Sequence, residues 1–288
     1  MLSILLVNYN DRENLSRCLA SLKGPIKGVP REIIVVDNDS IDGSREFIRV
    51  NHPDVKLIHS SENVGFARGN NLGLRKCAGE FILLLNTDTV VTPGAIDILM
   101  KAIQSDTGLG AVGPALLFKD NRYQVSFGRK VSFFPELLQK IILNPFYKTL
   151  LKISRKPRSV GWLSAACLLL RTHVLREAGF FDDNFFLYFE DIDLCYGIRK
   201  SGYRLLFQPR ARVFHVGGAT TAGEKGLSRF HYRKSQLYFY RKHNSKIACF
   251  MLRSYLRFIF TLNLWAGRLL RAPDLEERQK LIRLLGES

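Results

Sequence analysis

Three short segments carry side chains that could do chemistry. Asn86-Thr87-Asp88 follows an apolar run and precedes Thr92-Pro93, a typical start of a helix. A carboxylate at the end of a strand can hold Mg²⁺ or Mn²⁺, which takes one or two protein carboxylates together with phosphate and water oxygens. An Asx turn explains the same residues without any ligand. This segment by itself favours the Asx turn.

The other two segments allow acid–base and metal chemistry. In Glu190-Asp191-Ile192-Asp193, three acids open a predicted helix, where the helix dipole stabilises negative charge. An aspartate at that point could equally take a proton from a hydroxyl group as a general base. His215 follows an apolar run and is either an ordinary core or surface histidine or an imidazole ligand to a divalent ion.

The elements that must position these side chains alternate between strands and helices. Short runs rich in Val, Ile and Leu predict strands at Ser3–Val7, Glu32–Val36, Val55–His59, Glu80–Leu85, Ala165–Leu170, Tyr203–Gln208 and Arg212–Val216. Stretches with one apolar face predict helices at Asn14–Leu22, Ser44–Val50, Phe66–Lys76 and from Glu190 to a stop at Gly202. This alternation predicts an α/β domain whose mostly parallel sheet is covered by helices.

Polar segments follow four of the predicted strands. They are Asn8-Tyr9-Asn10, Asp37-Asn38-Asp39-Ser40, Ser60-Ser61-Glu62-Asn63 and Asn86-Thr87-Asp88. In open α/β sheets, ligands bind outside the carboxyl ends of the strands. We therefore predict that the four segments share one edge of the sheet and form a crevice for a polar ligand.

Composition limits the class of protein. The chain has 288 residues, of which 46% are hydrophobic and 24% charged, a balance typical of globular proteins. Its net charge of +17 indicates a polyanionic partner, which could be nucleic acid, a nucleotide or an anionic membrane. Five scattered cysteines without CxxC spacing argue against a disulfide framework and fit a reducing cytoplasm. The apolar run at Met1–Val7 is too short for a signal peptide and predicts a buried strand.

Two regions depart from the alternation. Residues 120–160 mix aromatic with basic side chains without a clear period, which predicts a loop or a mobile helical insertion. Ile247–Trp265 is as long as a bilayer span, yet Arg253 and Arg257 lie near its middle and would each cost about 2.5–3.5 kcal/mol there. We predict a helix lying in the membrane interface with its cations on anionic lipid, and a helical hairpin packed on the main domain is the alternative. Arg278–Leu285 could form a further amphipathic helix.

The order of the motifs resembles one known family. The segments VNYN, VVDNDSIDGS, ENVGFARGNNLGL, LLLNTDT, GWLSAACLLLR, GFFDDNFFLYFEDIDLC, GYRLLFQP and VFHVGG occur in sequence over about residues 1–220. They resemble the bacterial family-2 glycosyltransferases, most closely the branch of rhamnosyltransferases and other O-antigen or cell-wall sugar transferases. The resemblance implies a GT-A fold at residues 1–226, with the basic, aromatic insertion at 120–160. Residues 227–288 would follow as a C-terminal helical segment at the membrane interface.

The resemblance also implies donor-binding residues. They are Val7, Tyr9, Asp37, Asn63, Gly65, Arg68, Asn70, Asn86 and Trp162. The first three match positions that hold the nucleoside base and ribose. Gly65 would allow close backbone approach and Arg68 would reach the diphosphate, although an ordinary turn and a solvated helix face explain them as well. Trp162 and Ser164 match the wall around the donor sugar and acceptor, where Ala165 replaces a usual glycine.

The same resemblance implies a metal site and a catalytic base. Asp88 matches the retained acid of a DxD-type motif in which Asn86 replaces the first aspartate and removes one charge. His215 matches the histidine that completes the site for Mg²⁺ or Mn²⁺. Asp191 matches the base that takes the proton of an acceptor hydroxyl as its oxygen attacks C1 of the donor sugar. A single in-line displacement of the nucleoside diphosphate inverts the anomeric centre.

The expected partners follow from this resemblance. The donor would be a dTDP- or UDP-type sugar, with dTDP-rhamnose preferred, and the acceptor a hydroxyl of a glycan or of a polyprenyl-diphosphate-linked sugar. The protein would be cytoplasmic and peripheral on the anionic inner face of the membrane, with no nucleic acid bound.

Three alternatives compete with this hypothesis. A nucleic-acid-binding protein fits the charge, but no helix-turn-helix, zinc-finger or RNP-type pattern supports it. A dinucleotide-dependent oxidoreductase would carry GxGxxG after the first strand, and this sequence does not. A sugar-nucleotide-binding protein that lacks catalysis is the third alternative, because Asn86 replaces the first aspartate of the metal-binding motif.

Overall fold

The computed structural model describes residues 1–24, 29–134, 156–216, 225–269 and 275–287. The chain divides into two compact units. In the described residues, the first unit comprises 1–24, 29–130, 156–186 and 190–216, and the second comprises 131–134, 187–189, 225–269 and 275–287. Most of the predicted insertion, residues 135–155, lies outside the described part of the chain.

The first unit begins with four parallel strands and the helices that connect them. In chain order these elements are β1 (Leu2–Asn8), α1 (Arg12–Ser21), β2 (Arg31–Asn38), α2 (Ser44–Asn51), β3 (Lys56–Ser60), α3 (Gly65–Leu74) and β4 (Phe81–Leu85). Strand β1 lies between β2 and β4, so the order of strands reverses there. Such a reversal is where α/β sheets form their ligand crevice.

The rest of the unit completes a mixed sheet. Its elements are β5 (Thr89–Val91), α4 (Ala95–Gln104), β6 (Leu109–Leu117), β7 (Phe127–Gly128), β8 (Arg158–Val160), β9 (Trp162–Leu163), β10 (Cys167–Arg171), α5 (Thr172–Ala178), α6 (Glu190–Lys200) and β11 (Arg204–His215). The described strands of the main sheet run in the order β3-β2-β1-β4-β10-β6-β11-β5, β8 also pairs with β11, and β7 pairs with β9 separately.

The predicted fold class is confirmed. Strands β1, β2, β3, β4, β6 and β11 run in one direction, while β5, β8 and β10 run in the other. Every residue of β4 and β10 is buried, as expected for central strands covered on both faces. Gly202, predicted to stop a helix, follows α6 with a left-handed φ of 90°.

Two local predictions are wrong. The two predicted closing strands form the single strand β11, in which the register shifts between Gln208 and Arg212. Helix α4 begins at Ala95 after a left-handed Gly94, not at the preceding proline. The hydroxyl of Thr92 donates to the Arg212 carbonyl at 2.7 Å and so does not cap the helix.

The second unit consists mainly of three helices, α7 (Lys225–His243), α8 (Lys246–Leu269) and α9 (Leu275–Glu287). The predicted interfacial helix lies within α8, and the predicted short amphipathic helix lies within α9. The unit also includes Leu187–Phe189, which directly precede α6 in the chain. Ser235 on α7 donates to the carbonyl of Leu187 at 2.8 Å, which ties this short segment to the helix.

Helix α8 has one covered and one exposed face. Leu252, Leu256 and Phe260 are buried, and the helix contacts α7 and α9. The Arg253 guanidinium donates to the Leu285 carbonyl of α9 at 2.6 Å. The expectation that this arginine faces lipid is therefore wrong, because it satisfies a carbonyl near the end of a neighbouring helix.

Candidate active site

The carboxyl ends of the parallel strands bring the four polar segments to one edge. The register pairs Asn8 with Asp37 and Asn38 with Ser60. Strand β4 runs parallel to β1 on its other side and ends directly before Asn86. The prediction of a shared polar edge is therefore confirmed, and the turn after β4 lies beside the reversal of strand order.

Two predicted metal ligands meet at this edge. Antiparallel pairing of β5 with β11 sets Thr89 opposite His215, and the Val216 amide donates to the Asp88 carbonyl at 2.9 Å. Nε2 of His215 consequently lies 3.2 Å from Oδ1 of Asp88. Neighbouring ligands of an octahedral Mg²⁺ or Mn²⁺ are about 3 Å apart. The side-chain oxygen of Asn86, two residues before Asp88 in the same turn, is buried without a hydrogen-bond partner in the described residues.

Asp11 is a site residue that the sequence analysis does not single out. Its carboxylate accepts hydrogen bonds from Thr87 at 3.1 Å and from Asn14 at 2.8 Å. Burial raises the pKa of Asp11, and the negative charge of Asp88 raises it further. An aspartate directly before a helix looks like an N-cap in sequence, but this side chain makes no capping hydrogen bond. Only the tertiary structure brings it to the turn after β4.

Asp191 is joined to the same turn through two consecutive residues. The Ala165 amide donates to Oδ2 of Asp191 at 3.3 Å, and the Ala166 carbonyl accepts from the Asn86 amide at 3.0 Å. Ile192 donates its amide to Oδ1 of Asp191 at 2.8 Å. The sheet thus holds this carboxylate at the start of α6 next to the strand end that carries the metal-ligand candidates.

The ionisation of Asp191 suits a proton acceptor near neutral pH. Burial raises the pKa of its carboxyl from the ordinary 3.8 to about 6, although the amides of Ala165 and Ile192 stabilise the anion and limit the rise. Burial and the charge of Asp191 also raise the pKa of the adjacent Glu190 well above its ordinary value. The Oε2 atom of Glu190 is buried and has no hydrogen-bond partner in the described residues, which disfavours the charged form of this carboxyl.

The expected donor-binding residues at the start of α3 form one connected turn. Asn63 accepts hydrogen bonds from Asn38 at 2.8 Å and from the Gly65 amide at 3.0 Å. Gly65 has a φ of 82°, and a Cβ atom there would lie 2.4 Å from the Phe186 carbonyl oxygen. The backbone itself therefore requires glycine at this position. Arg68 is exposed and donates to a main-chain carbonyl oxygen at 3.2 Å.

The other residues expected to bind the donor differ in their access to solvent. Tyr9 is exposed, whereas Val7, near the end of β1, and Trp162, in β9, are half-buried. Asp37 is fully buried and accepts hydrogen bonds from polar groups of its own sheet edge. Asn70 is also buried, and its amide donates to a carbonyl of its own helix at 2.9 Å. The side chains of Asp37 and Asn70 are therefore occupied by bonds within the protein and do not reach the surface.

Ser164 and Gln124 support two of the candidate site residues, Asp191 and His215. The Ser164 hydroxyl accepts from the Ala166 amide at 3.3 Å, which braces the segment that holds Asp191. Gln124 contacts His215 twice, with Oε1 2.8 Å from Nδ1 and Nε2 donating to the His215 carbonyl at 2.5 Å. No pattern in the sequence distinguishes this glutamine, because it lies in a loop 91 residues from its partner.

Comparison with known proteins agrees with this geometry. Residues 3–179 match the model of glycosyl transferase family 2. The chain is 29% identical over 239 residues to N-acetylglucosaminyl-diphospho-decaprenol L-rhamnosyltransferase of Mycobacterium tuberculosis, an alignment that covers 75% of this chain and 76% of the relative. It is 29% identical over 208 residues to the low-salt glycan biosynthesis hexosyltransferase Agl10 of Haloferax volcanii, covering 71% of this chain and 63% of that protein.

Solved structures confirm the GT-A architecture. The mannosyltransferase PcManGT from Pyrobaculum calidifontis, in complex with GDP-mannose and Mn²⁺, superposes with a TM-score of 0.60 at 16% identity, covering 100% of this chain and 75% of that one. GalNAc-T7 with UDP, GalNAc and Mn²⁺ gives 0.57 at 19% identity, covering 83% of this chain and 49% of that one. At these identities, the likeness establishes the fold alone.

Proposed function

Since the chain belongs to glycosyl transferase family 2, we propose that it transfers rhamnose from a nucleoside-diphosphate sugar, dTDP-rhamnose, to a hydroxyl of a polyprenyl-diphosphate-linked saccharide. One observation carries this proposal. Hydrogen bonds through Ala165 and Ala166 connect Asp191 to the turn that bears Asp88, and Asp88 contacts His215. The rhamnosyltransferase of M. tuberculosis supports the choice of sugar and acceptor. Such a product belongs to cell-surface polysaccharide synthesis.

Asp191 is the proposed general base. With a pKa of about 6, most of the carboxyl population is ionised at pH 7 and can accept a proton. The acceptor oxygen loses its proton to Asp191 and forms a bond to C1 of the donor sugar, while the bond from C1 to the diphosphate breaks. This single displacement from the opposite face inverts C1.

Asp88 and His215, whose side chains lie 3.2 Å apart, are the proposed metal ligands. One carboxylate, one imidazole and oxygen atoms from a diphosphate fit the preferences of Mn²⁺ or Mg²⁺. Such an ion, when bound, would neutralise charge that develops on the leaving diphosphate. Asp11 adds a second carboxyl near Asp88, which offsets part of the charge that the motif loses at position 86.

The donor nucleotide is proposed to lie over the ends of β1 and β2 and the start of α3. Tyr9 is exposed there for base contacts, and Gly65 begins α3 at this surface with its backbone packed closely against Phe186. Arg68 is exposed and supplies a cation for the diphosphate at the edge of this surface. The other donor residues form the support and border of this surface: Val7, Asp37, Asn63, Asn70 and Trp162.

We further propose that α8 docks the protein on the cytoplasmic face of an anionic membrane. Its exposed apolar residues recur at helical spacing on the face opposite the buried one, and they are 46% to 72% exposed: Ile247, Phe250, Phe258, Leu262 and Trp265. Soluble helices place polar residues on such a face. We call these five residues the α8 apolar stripe.

The positive charge around α8 favours an anionic lipid surface as the binding partner of the α8 apolar stripe. Apart from Arg253, residues 225–269 contain nine Lys or Arg, and they contain no Asp or Glu. Each cation near an anionic bilayer contributes about 1 kcal/mol to binding. In the described residues, only Lys246–Gly267 has the length and composition of a membrane span. Because Leu252 and Leu256 are covered by helices of the same unit, we propose that α8 lies in the plane of the interface.

Flotation with liposomes tests the docking. Wild-type protein should float with phosphatidylglycerol vesicles and much less with phosphatidylcholine vesicles. The double variant Phe258→Ser/Trp265→Ser should lose flotation without losing thermal stability. Ile41→Ser is the matched control, since Ile41 is 87% exposed in the first unit. Equal flotation of all three proteins would contradict the docking proposal.

Transfer itself is tested with defined substrates. The protein is incubated with Mn²⁺, dTDP-rhamnose and a synthetic polyprenyl-diphosphate GlcNAc acceptor, and the product is identified by mass spectrometry. UDP-, GDP- and other dTDP-sugars are compared, and binding is followed by thermal shift. A donor at about a hundred times its Kd should stabilise the fold by about 2.7 kcal/mol. Stabilisation by another nucleotide sugar and none by dTDP-rhamnose would replace the proposed donor.

A further inference from the structure

The loop that follows β6 returns Gln124 to the end of β11. Tyr123 forms a bridge with Leu117, and the Gln124 amide donates to the Leu116 carbonyl at 2.9 Å. Strand β6 in turn runs parallel to β11, with Leu117 opposite Phe214. Backbone hydrogen bonds alone therefore hold the glutamine beside the residue that ends β11.

The two contacts between Gln124 and His215 determine where the hydrogens lie. The His215 carbonyl can only accept, so the side-chain atom 2.5 Å from it must be the NH₂ group of Gln124. The other amide atom, 2.8 Å from Nδ1, is then the oxygen, which can only accept. Nδ1 must therefore carry the hydrogen, and in the neutral ring Nε2 carries the lone pair.

This lone pair faces the other proposed metal ligand. Nε2 of His215 lies 3.2 Å from Oδ1 of Asp88. We infer that Gln124 is a positioning residue that fixes His215 in its Nδ1-protonated tautomer and so prepares Nε2 to bind a divalent cation beside Asp88. The inference rests on the proposed function for its cation, but the tautomer is a property of the metal-free protein. Removing a hydrogen bond of this kind to a ligand histidine typically weakens metal binding by about 10–100-fold.

The tautomer is measured directly in metal-free protein. In ¹⁵N-histidine-labelled protein at about pH 8, where an ordinary imidazole is neutral, long-range ¹H–¹⁵N spectra distinguish protonation at Nδ1 from protonation at Nε2. Wild-type His215 should be protonated at Nδ1, and Gln124→Met should show a mixture of tautomers. Gln124→Glu retains an acceptor for Nδ1–H and should keep the wild-type tautomer. Ser126→Ala controls for loosening of the segment, because Ser126 bonds the Pro114 carbonyl and not the imidazole.

Mn²⁺ affinity is measured on the same proteins by counting free Mn²⁺ with electron paramagnetic resonance. Gln124→Met should weaken binding by about 10–100-fold, while Gln124→Glu and Ser126→Ala remain close to wild type. In a His215→Ala background, Gln124→Met should cause no further loss, which separates positioning of the imidazole from a general structural effect.

Two results would overturn the inference. One is a wild-type His215 protonated at Nε2, and the other is a Gln124→Met protein with the wild-type tautomer and Mn²⁺ affinity. Failure of the wild type to bind Mn²⁺ would instead contradict the metal site of the proposed function. In that case an Nδ1-protonated His215 that is lost in Gln124→Met would still support the role of Gln124.

Discussion

Replacing Asp191 with asparagine should remove transfer and make the protein more stable. The amide has nearly the same shape but cannot take a proton, so kcat should fall by about 10²–10⁴-fold. Donor binding should persist, since Asp191 is proposed to act on the acceptor. The gain in stability arises because the folded protein at pH 7 carries an anion in a site that raises the pKa of the carboxyl to about 6.

The size of the gain follows from this pKa. A carboxyl whose pKa rises from 3.8 in the unfolded chain to about 6 in the fold destabilises the fold above pH 6 by at most about 3 kcal/mol. The penalty shrinks as the pH falls through 6 and is absent below about pH 4, where both states are protonated. Asparagine loses one of the two amide hydrogen bonds from Ala165 and Ile192, at a cost of about 1 kcal/mol. The net gain at pH 7 should therefore be about 1–2 kcal/mol.

Urea unfolding at pH 7 and pH 4, with transfer assays on the same samples, measures both effects. Asp191→Asn should unfold at higher urea than wild type at pH 7 and lose this advantage at pH 4. The wild-type kcat/KM should fall about tenfold for each pH unit below 6. Asp54→Asn is the matched control, an exposed acid before β3 that should change neither property. A lower stability of Asp191→Asn at pH 7, or near-normal turnover, would refute the reasoning.

Three further outcomes are expected. Gly65→Ala should lower the free energy of unfolding in urea by about 1–3 kcal/mol, because the new Cβ meets the Phe186 carbonyl and φ is positive. It should also weaken donor binding in calorimetry, and an unchanged Kd would remove Gly65 from the donor surface. Arg171→Met should cost about 2–4 kcal/mol of unfolding free energy, since it leaves two main-chain carbonyls at 2.6 and 3.0 Å without their buried donor; a urea midpoint equal to wild type would contradict this. His215→Ala should need at least about tenfold more Mn²⁺ for half-maximal activity, and EDTA should stop wild-type transfer until Mn²⁺ is restored; activity indifferent to both would contradict the metal role.

Local patterns were sufficient to predict most elements of the first unit. The runs that became β1, β2 and β4 are apolar on both faces, and such strands must be covered by helices on either side of a sheet. The rule that ligands bind at the carboxyl ends of these strands then points to the polar segments that follow them. No single segment could establish the roles of Asp88, Asp191 and His215. These roles were predicted from the order of the motifs along the chain.

The two wrong predictions in the first unit share a cause. The hydroxyl of Thr92 matched a helix cap in sequence, but pairing of β5 with β11 supplied the Arg212 carbonyl as another partner. The break near Gln208 looked like the end of one strand, but pairing of β11 with β6 continues across it after a shift of register. In both places a distant strand decided the outcome, and local propensity does not report which strand that is.

By itself, then, the sequence determined the α/β class, the polar edge of the sheet and the identity of the acids that could act there. The tertiary structure decided which of them meet: His215 beside Asp88, Gln124 behind that histidine, and Asp11 at the turn after β4. The tertiary structure also decided which side chains are buried. Asp37 is buried, whereas one apolar face of α8 is exposed to solvent. Periodicity shows which side of an element is apolar, but strand pairing between distant segments decides what covers that side and which polar groups it brings together.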